Sequence, residues 1–435
     1  MYTVPYGKET MRFSLPAGMR ARLAVSEPVP PVEDEAAAVA RALACPVGQP
    51  PLEVLARTAR RVCIVFTDST RACPDHLMVP PILAGLEAGG VRPRDVTLLC
   101  GVGMHRASTA EEKEAKLGAG IAGRYRVIDN EPQNARALVG LGVTPGGVPV
   151  SVHKDVAASD LVIATGIVEP HQYAGYSGGC KTLAVGAAGE DLIAHTHGPA
   201  FVEHPGTRLG RIEGNPFHEA VVEAARRAGL RYIVNAVLDA GGRILRVASG
   251  DPDAVFRDLV RFARSVYEVP VPQRYPIVIA GVGHPKDGNL YQASRAASYL
   301  FFAPTCLIRP GGYVLIPAPC GEGAGRGVGE QRFYRAMQQA PDVRSILEDA
   351  RRNGYPPGQQ RAFVLAKVLE QSHVIIVGSR CPEVVSACKM TPAATMEEAL
   401  HIAGSAVGFS SDVLIVPHAM QTLPVVTTEH EEAGA

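Results

Sequence analysis

RVCIVFT (61–67), DVTLLC (95–100) and DLVIAT (160–165) decide the fold. Each is a short apolar run rich in β-branched residues, the pattern of a strand buried on both faces. Candidate helices lie between them, near 75–88 and 109–117, and such alternation implies a mostly parallel, helix-covered sheet. Working outward, a helix near 217–229, strands near 231–238 and 243–248 and a helix near 252–266 continue the pattern. In YEVPVPQRYP three prolines interrupt any regular element, which places a linker at about 267–275. Beyond it, strands near 276–281, 312–317 and 373–378 alternate with helical patterns near 290–301, 341–352 and 358–371. The closing runs DVLIVP (412–417) and LPVV (423–426) are assigned to the first domain. The expectation is an α/β protein of two α/β domains, with mostly parallel sheets and an active-site cleft between them. The N-terminal domain is 1–268, joined by 410–435, and the C-terminal domain is 269–409.

Composition narrows the function classes. The 435 residues are 46% hydrophobic and 20% charged, enough for two cores of ordinary size. Forty-three basic residues balance 43 acidic ones, and no basic block tracks a phosphate backbone, so nucleic acid is not an expected partner. MYTVPYGKETMRFSLPAG lacks the apolar segment of a signal peptide, and no apolar run approaches the roughly 20 residues needed to cross a bilayer. A cytoplasmic location without membrane attachment follows. Nine cysteines are scattered without a CxxC pair, which fits reduced thiols better than a disulfide framework or a zinc site.

Four stretches stand at the ends of expected strands. GVGMH (101–105) and GVGHP (281–285) suggest a dinucleotide fingerprint, but Arg106 and Lys286 stand where the third glycine belongs. A tight turn relieved of crowding by glycine is the plainer reading. His105 still falls at the carboxyl end of a strand, where open α/β sheets bind ligands. TDSTRACP (67–74) puts Asp68, Ser69, Thr70 and Arg71 before a helix, as an anion cradle or as a cap; the residues alone leave both open. EPHQYAGYSGGCK (169–181) gathers Gly175, Gly178 and Gly179 around Ser177 and ends in Lys181, either for close approach to a ligand or as a turn-rich loop.

Together these pieces resemble the nickel-dependent lactate racemases. The resemblance rests on TDSTR (67–71), GVGMH (101–105), EPHxxAGYSGGxK (169–181), a histidine 16 positions after that lysine (His197), and PKDxNLYQ (285–292). It implies a nickel-pincer nucleotide, a nicotinic-acid-derived mononucleotide with two sulfur arms, joined by a thioamide to Lys181, with nickel held by the pincer and His197. His195, two positions away, is the rival ligand, and spacing favours His197. The resemblance gives His105 and His171 the two acid/base roles that inversion of a 2-hydroxy acid through a 2-keto intermediate requires. Asp68, Ser69, Thr70, Ser177, Gly178 and Gly179 would hold the cofactor. Arg71, Tyr291, Gln292 and Arg295 would meet the substrate. Arg295 stands where the pattern has lysine, and TLAVGAAG (182–189) replaces a stretch ending in Pro-Gly.

The expected partners are a small 2-hydroxy acid and cofactor-biosynthesis proteins; oligomeric state is not legible. Two other classes stay open. One is a dehydrogenase using a diffusible nicotinamide. The other is a cofactor-binding protein that keeps the fold without racemase activity.

Overall fold

The computed structural model describes residues 1–356 and 358–427. The chain forms two compact units. The first comprises Pro28–His197 and Ile212–Val266; the second comprises Met1–Glu27, Gly198–Arg211 and the chain from Tyr267 onward.

Six strands build the sheet of the first unit, in the order Ile244–Gly250, Leu230–Leu238, Leu161–Ile167, Val62–Thr67, Val96–Gly101, Arg126–Asp129. All neighbours are parallel except Ile244–Gly250, which returns antiparallel at the edge. Every residue of Val62–Thr67 and of Leu161–Ile167 is buried, as unbroken apolar runs in a covered sheet require. One face packs Ile64, Phe66, Leu98 and Ile163 against Met78, Val79, Ile82 and Leu86 of the helix Asp75–Ala88. The helix Ala110–Leu117 starts in a capping box made by Thr109 and Glu112.

The chain runs outward from Val62–Thr67 through two strands, then crosses back to Leu161–Ile167 on its other side. Strand order therefore reverses between these two central strands. Their ladder stops at Val65↔Ala164, so the last residues of both separate. A crevice at such a switch point, beyond the carboxyl ends, is where open α/β sheets bind ligands.

The second unit holds a fully parallel sheet in the order Thr391–Ala393, His373–Val377, Ile308–Pro317, Tyr275–Ala280, Asp412–Val416, Arg20–Leu23. This corrects two expectations. The closing strand Asp412–Val416 lies beside Tyr275–Ala280 and not in the first sheet, and residues 1–27 also belong with the second unit. An apolar run buried on both faces needs a neighbour on each side, but nothing in the run says which sheet supplies it. The expected tail from 428 on lies outside the described residues. The proline-rich linker is also more regular than expected. Glu268–Val271 pairs with Leu423–Val426 in a two-stranded parallel ribbon, where a proline lacking its N–H is tolerated. The helical pattern at 290–301 divides at Ser294 into Leu290–Ala293 and Arg295–Phe301. The N-terminal hairpin, Tyr2–Tyr6 with Glu9–Phe13, packs Val4 and Phe13 onto this unit's core.

All nine cysteines are free. Among the described residues no helix is long and apolar enough to cross a membrane.

Candidate functional site

The loop after Val62–Thr67 carries the first group of expected site residues. Asp68 is buried, while Ser69, Thr70 and Arg71 are exposed. The hydroxyls serve the loop itself: Thr70 Oγ1 donates to Asp68 Oδ1 at 2.7 Å, and Ser69 Oγ donates to Glu112 at 3.1 Å. The other Asp68 oxygen lies 2.6 Å from Nδ1 of His105, which the next strand delivers at the GVGMH turn. Burial raises the Asp68 carboxyl, but hydrogen bonds from His105 and Thr70, with the charges of His105 and Arg71, outweigh it and hold the group below its usual value. A carboxylate on Nδ1 fixes the neutral imidazole with its proton there, so Nε2 is the basic atom. Among the described residues no carboxylate lies within ion-pair distance of the Arg71 guanidinium.

Beneath this loop lies an ionic knot that the sequence reading missed. Asp75, at the start of its helix, is wholly buried and accepts from Thr67 Oγ1 at 2.5 Å and from the Thr165 hydroxyl. It thereby joins the two central strands where their ladder ends. Lys116 completes the knot, 2.9 Å from Asp75 Oδ2, and donates to the carbonyls of Arg71 at 3.0 Å and Cys73 at 2.8 Å. Glu112 ties the same loop to the histidine turn, holding Ser69 on one side and both arms of Arg106 on the other at 2.8 and 2.6 Å. A polar residue at a helix start reads in sequence as a cap, which conceals both roles.

The second group follows Leu161–Ile167. Pro170–His171 and Gly175–Tyr176 form a short hairpin in which His171 Nδ1 accepts the backbone N–H groups of Tyr173 and Ala174, both at 3.2 Å. This places the proton of a neutral His171 on Nε2, the opposite tautomer to His105. Ser177 closes the base of the loop, donating to the Ile167 carbonyl at 2.8 Å and accepting from the Glu169 N–H at 3.1 Å. Gly178 and Gly179 both adopt positive φ, +80° and +55°. The crowding that demands glycine comes from the protein's own atoms, a different cause from the ligand approach expected of them. A Cβ at 178 would stand 2.7 Å from Asn235 Oδ1, and one at 179 would stand 2.8 Å from the Phe256 ring.

Lys181 leaves this turn at the start of a π-helical segment, Thr182–Gly186, a geometry found often at functional sites. Its ammonium is pushed down to about 7, first by burial and then by the Arg71 charge, against the opposing pull of Glu169 and Asp68. Gly186 and Gly101 bring this segment hard against the strand that leads to His105: a Cβ on Gly186 would lie 2.9 Å from the Gly101 backbone, and Gly103 N donates to Gly186 O at 3.0 Å.

His197 ends the helix Glu190–Thr196. Its Nδ1 donates to the Ile193 carbonyl at 2.8 Å, which puts the lone pair of the neutral ring on Nε2. Burial pushes its pKa down to about 4, helped by the Lys181 charge. Its ring meets Tyr173 and Phe217 edge-on, with centroids 5.2 and 5.0 Å apart, and Phe217 also lies 6.4 Å from the His171 ring. His195, on the same helix, is exposed. The first unit therefore brings together Asp68, Arg71, His105, His171, Lys181 and His197 around one switch point. Among the described residues no three or more His, Cys, Asp or Glu side chains form a group able to hold a metal unaided.

Tyr291, Gln292 and Arg295 belong to the second unit. There Arg295 donates to Gln292 Oε1 at 3.0 Å and to the Tyr299 hydroxyl at 3.1 Å, with its guanidinium over the Tyr299 ring. The second Gly-Val-Gly turn is filled by protein. A Cβ on Gly281 would lie 2.1 Å from the Pro417 carbonyl, and one on Gly283 would lie 3.0 Å from Pro5.

Residues 6–210 match the lactate racemase N-terminal domain family, and residues 273–423 match the lactate racemase C-terminal domain family. The lactate racemase of Thermoanaerobacterium thermosaccharolyticum is 29% identical over 425 residues, covering 97% of this chain and 98% of that protein. The lactate racemase of Lactiplantibacillus plantarum is 30% identical over 383 residues, covering 87% and 88%. The solved lactate racemase apoprotein from T. thermosaccharolyticum superposes with a TM-score of 0.84 at 28% identity, over 97% of this chain and 99% of that one. A Thermotoga maritima protein, at 18% identity and a TM-score of 0.63, shares the fold over 86% of this chain and 96% of its own.

Proposed function

The chain belongs to the lactate racemase family and is an isomerase, and on that premise we propose that it inverts the configuration of lactate or a related 2-hydroxy carboxylate with a nickel-pincer nucleotide fixed to Lys181. The observation that carries this reading is the gathering of a lysine whose ammonium burial pushes down, a histidine whose neutral ring keeps its lone pair on Nε2 and two further histidines at one switch point.

The residues fit the group. Only a neutral amine can be acylated, and a lysine whose pKa lies at about 7 is substantially neutral at physiological pH. His197 supplies one imidazole donor, of the kind nickel accepts, and its half-buried ring suits the role better than exposed His195. A metal held largely by donors of a bound organic group needs no more from the protein. Arg71, beside Lys181 and free of carboxylate partners among the described residues, can grip a substrate or cofactor anion.

When bound, the group supplies a hydride acceptor beside a metal. The protein handles the proton. His105 Nε2 takes it from the substrate hydroxyl as the carbon-bound hydrogen leaves, while Asp68 holds the ring and stabilises the imidazolium. His171 enters this direction as the imidazolium and returns a proton to the 2-keto intermediate on the opposite face, ending neutral while His105 is left charged. In the reverse direction the two exchange roles. Asp68, Ser69, Thr70, Ser177, Gly178 and Gly179 shape the loops that present Arg71 and Lys181. Tyr291, Gln292 and Arg295 keep the substrate-binding role that the resemblance implies.

The dehydrogenase alternative loses its motif. The backbone of the first Gly-Val-Gly turn packs on Gly186, and the second turn receives Pro5 and Pro417, so neither is open to a pyrophosphate. The test is intact mass and nickel content of protein isolated from its native host, followed by assay on both enantiomers of lactate and other 2-hydroxy acids. An unmodified, nickel-free chain that interconverts no enantiomers overturns the proposal.

A further inference from the structure

The strand Leu230–Leu238 reads in sequence as one more apolar run, yet it carries an amide, Asn235, three residues before its end. Asn235 is fully buried and opposite Gly166 of the neighbouring strand. Its Oδ1 accepts the Gly179 N–H at 2.7 Å. Its Nδ2 is also buried and has no hydrogen-bond partner among the described residues. An apolar residue would suit the surrounding core better, except that the Gly179 N–H would then be left unpaired. The amide oxygen is what gives that N–H its partner.

The oxygen acts on the turn that delivers the lysine. Gly178 and Gly179 wrap around it so closely that a Cβ at 178 would stand 2.7 Å away, and Lys181 N closes the turn by donating to Gly178 O at 3.0 Å. Gly166 leaves room for both the Asn235 amide and the Thr182 hydroxyl, which lie 3.3 and 3.0 Å from where its Cβ would be. The turn before Lys181 thus bears on one side chain from a different strand, and Thr182 after it packs beside the same Gly166.

We propose that Asn235 is the positioning residue of the lysine anchor: by holding the Gly178–Gly179 turn it aims the Lys181 amine, and so sets how completely the cofactor is attached. This rests on the attachment proposed above. Asn235 touches neither substrate nor reacting atoms, and its effect passes through the Gly179 N–H.

Two substitutions test it in full-length protein made in cells that supply the cofactor. Asn235→Leu keeps the γ-branched shape, at a larger volume, and removes the acceptor. Asn235→Asp keeps an acceptor oxygen in place whether or not the carboxyl is protonated. The readouts are the fraction of chains carrying the mass adduct, nickel per chain and the thermal midpoint, with wild type and Lys181→Ala measured alongside. Loss of one buried hydrogen-bond acceptor predicts an adduct fraction lower by about tenfold in Asn235→Leu. The fraction in Asn235→Asp should stay within about twofold of wild type, with both variants folded. An Asn235→Leu protein loaded as fully as wild type overturns the proposal. So does loss of the fold in both variants, which would make Asn235 a structural residue only. Wild-type protein without adduct instead refutes the attachment reading, so the two failures are distinguishable.

Discussion

Replacing Lys116 by methionine keeps most of the side-chain stem and strands the Asp75 carboxylate in the core. The two side chains are 11% and 0% exposed, and the ammonium lies 2.9 Å from the carboxylate while also serving the carbonyls of Arg71 and Cys73. Breaking one partner of a buried pair costs about 3–5 kcal/mol, because the remaining charge has lost both water and counter-ion. An exposed pair is worth about 0–1 kcal/mol. Arg344–Glu348, at 85% and 53% exposure, provides that comparison in the same chain. Urea unfolding followed by circular dichroism should show Lys116→Met destabilised by about 3–5 kcal/mol, and Arg344→Met by less than about 1 kcal/mol. Adding Asp75→Asn to Lys116→Met should recover part of the loss, since the amide still bonds the Thr67 and Thr165 hydroxyls without a stranded charge. A Lys116→Met protein within about 1 kcal/mol of wild type, or a coupling energy near zero in the cycle, would refute a buried clamp under this loop.

The anchor gives a second expectation: Lys181→Ala should carry no adduct, whereas His197→Ala should keep the organic adduct and lose most nickel, as intact mass and metal analysis would reveal; full nickel occupancy in His197→Ala would point to His195. His105→Ala and His171→Ala should each lower racemisation by about 100-fold or more in both directions, the usual scale of acid/base catalysis, and a variant with near-normal rates removes that histidine from the mechanism. The unmodified protein should also show a pH signature of Lys181. Because its folded pKa of about 7 lies below the ordinary lysine value, the unfolded chain binds more protons between the two. The burial penalty is therefore full below about 7 and relieved as pH rises toward 10.5. Stability should climb over that interval relative to Lys181→Met, and parallel pH profiles for the two proteins would show that the amine is not perturbed.

What the sequence reveals and what it conceals follow different physics. Val62–Thr67, Val96–Gly101 and Leu161–Ile167 were legible because strands covered on both faces must be apolar throughout. The same uniformity hides partnership, which is why Asp412–Val416 was assigned to the wrong sheet and the strand Arg20–Leu23 went unread. The candidate site residues are legible as types in order, since TDSTR and EPHQYAGYSGGCK put titratable groups beside turn formers. Their supports were not. Asp75 and Glu112 look like helix starts, Lys116 like a solvated helix residue, and Asn235 like an interruption in an apolar run. Each acquires its role from a contact across tens of residues, such as Asp75 with Thr165 or Gly179 with Asn235.

The two Gly-Val-Gly turns carry the point further, because one string serves two ends. In both, glycine is needed where backbone meets backbone or proline, and in neither is the space given to a nucleotide. At 101–103 the close approach is to Thr182–Gly186, so the same contact that admits the segment after Lys181 also sets the turn from which His105 reaches Asp68. At 281–283 the approach is to Pro5 and Pro417, which fasten the N-terminal hairpin and the closing strand to the second sheet. A motif of small residues reports that something comes close. Only the identity of the neighbour distinguishes a turn that couples lysine and histidine segments from one that secures the ends of the chain.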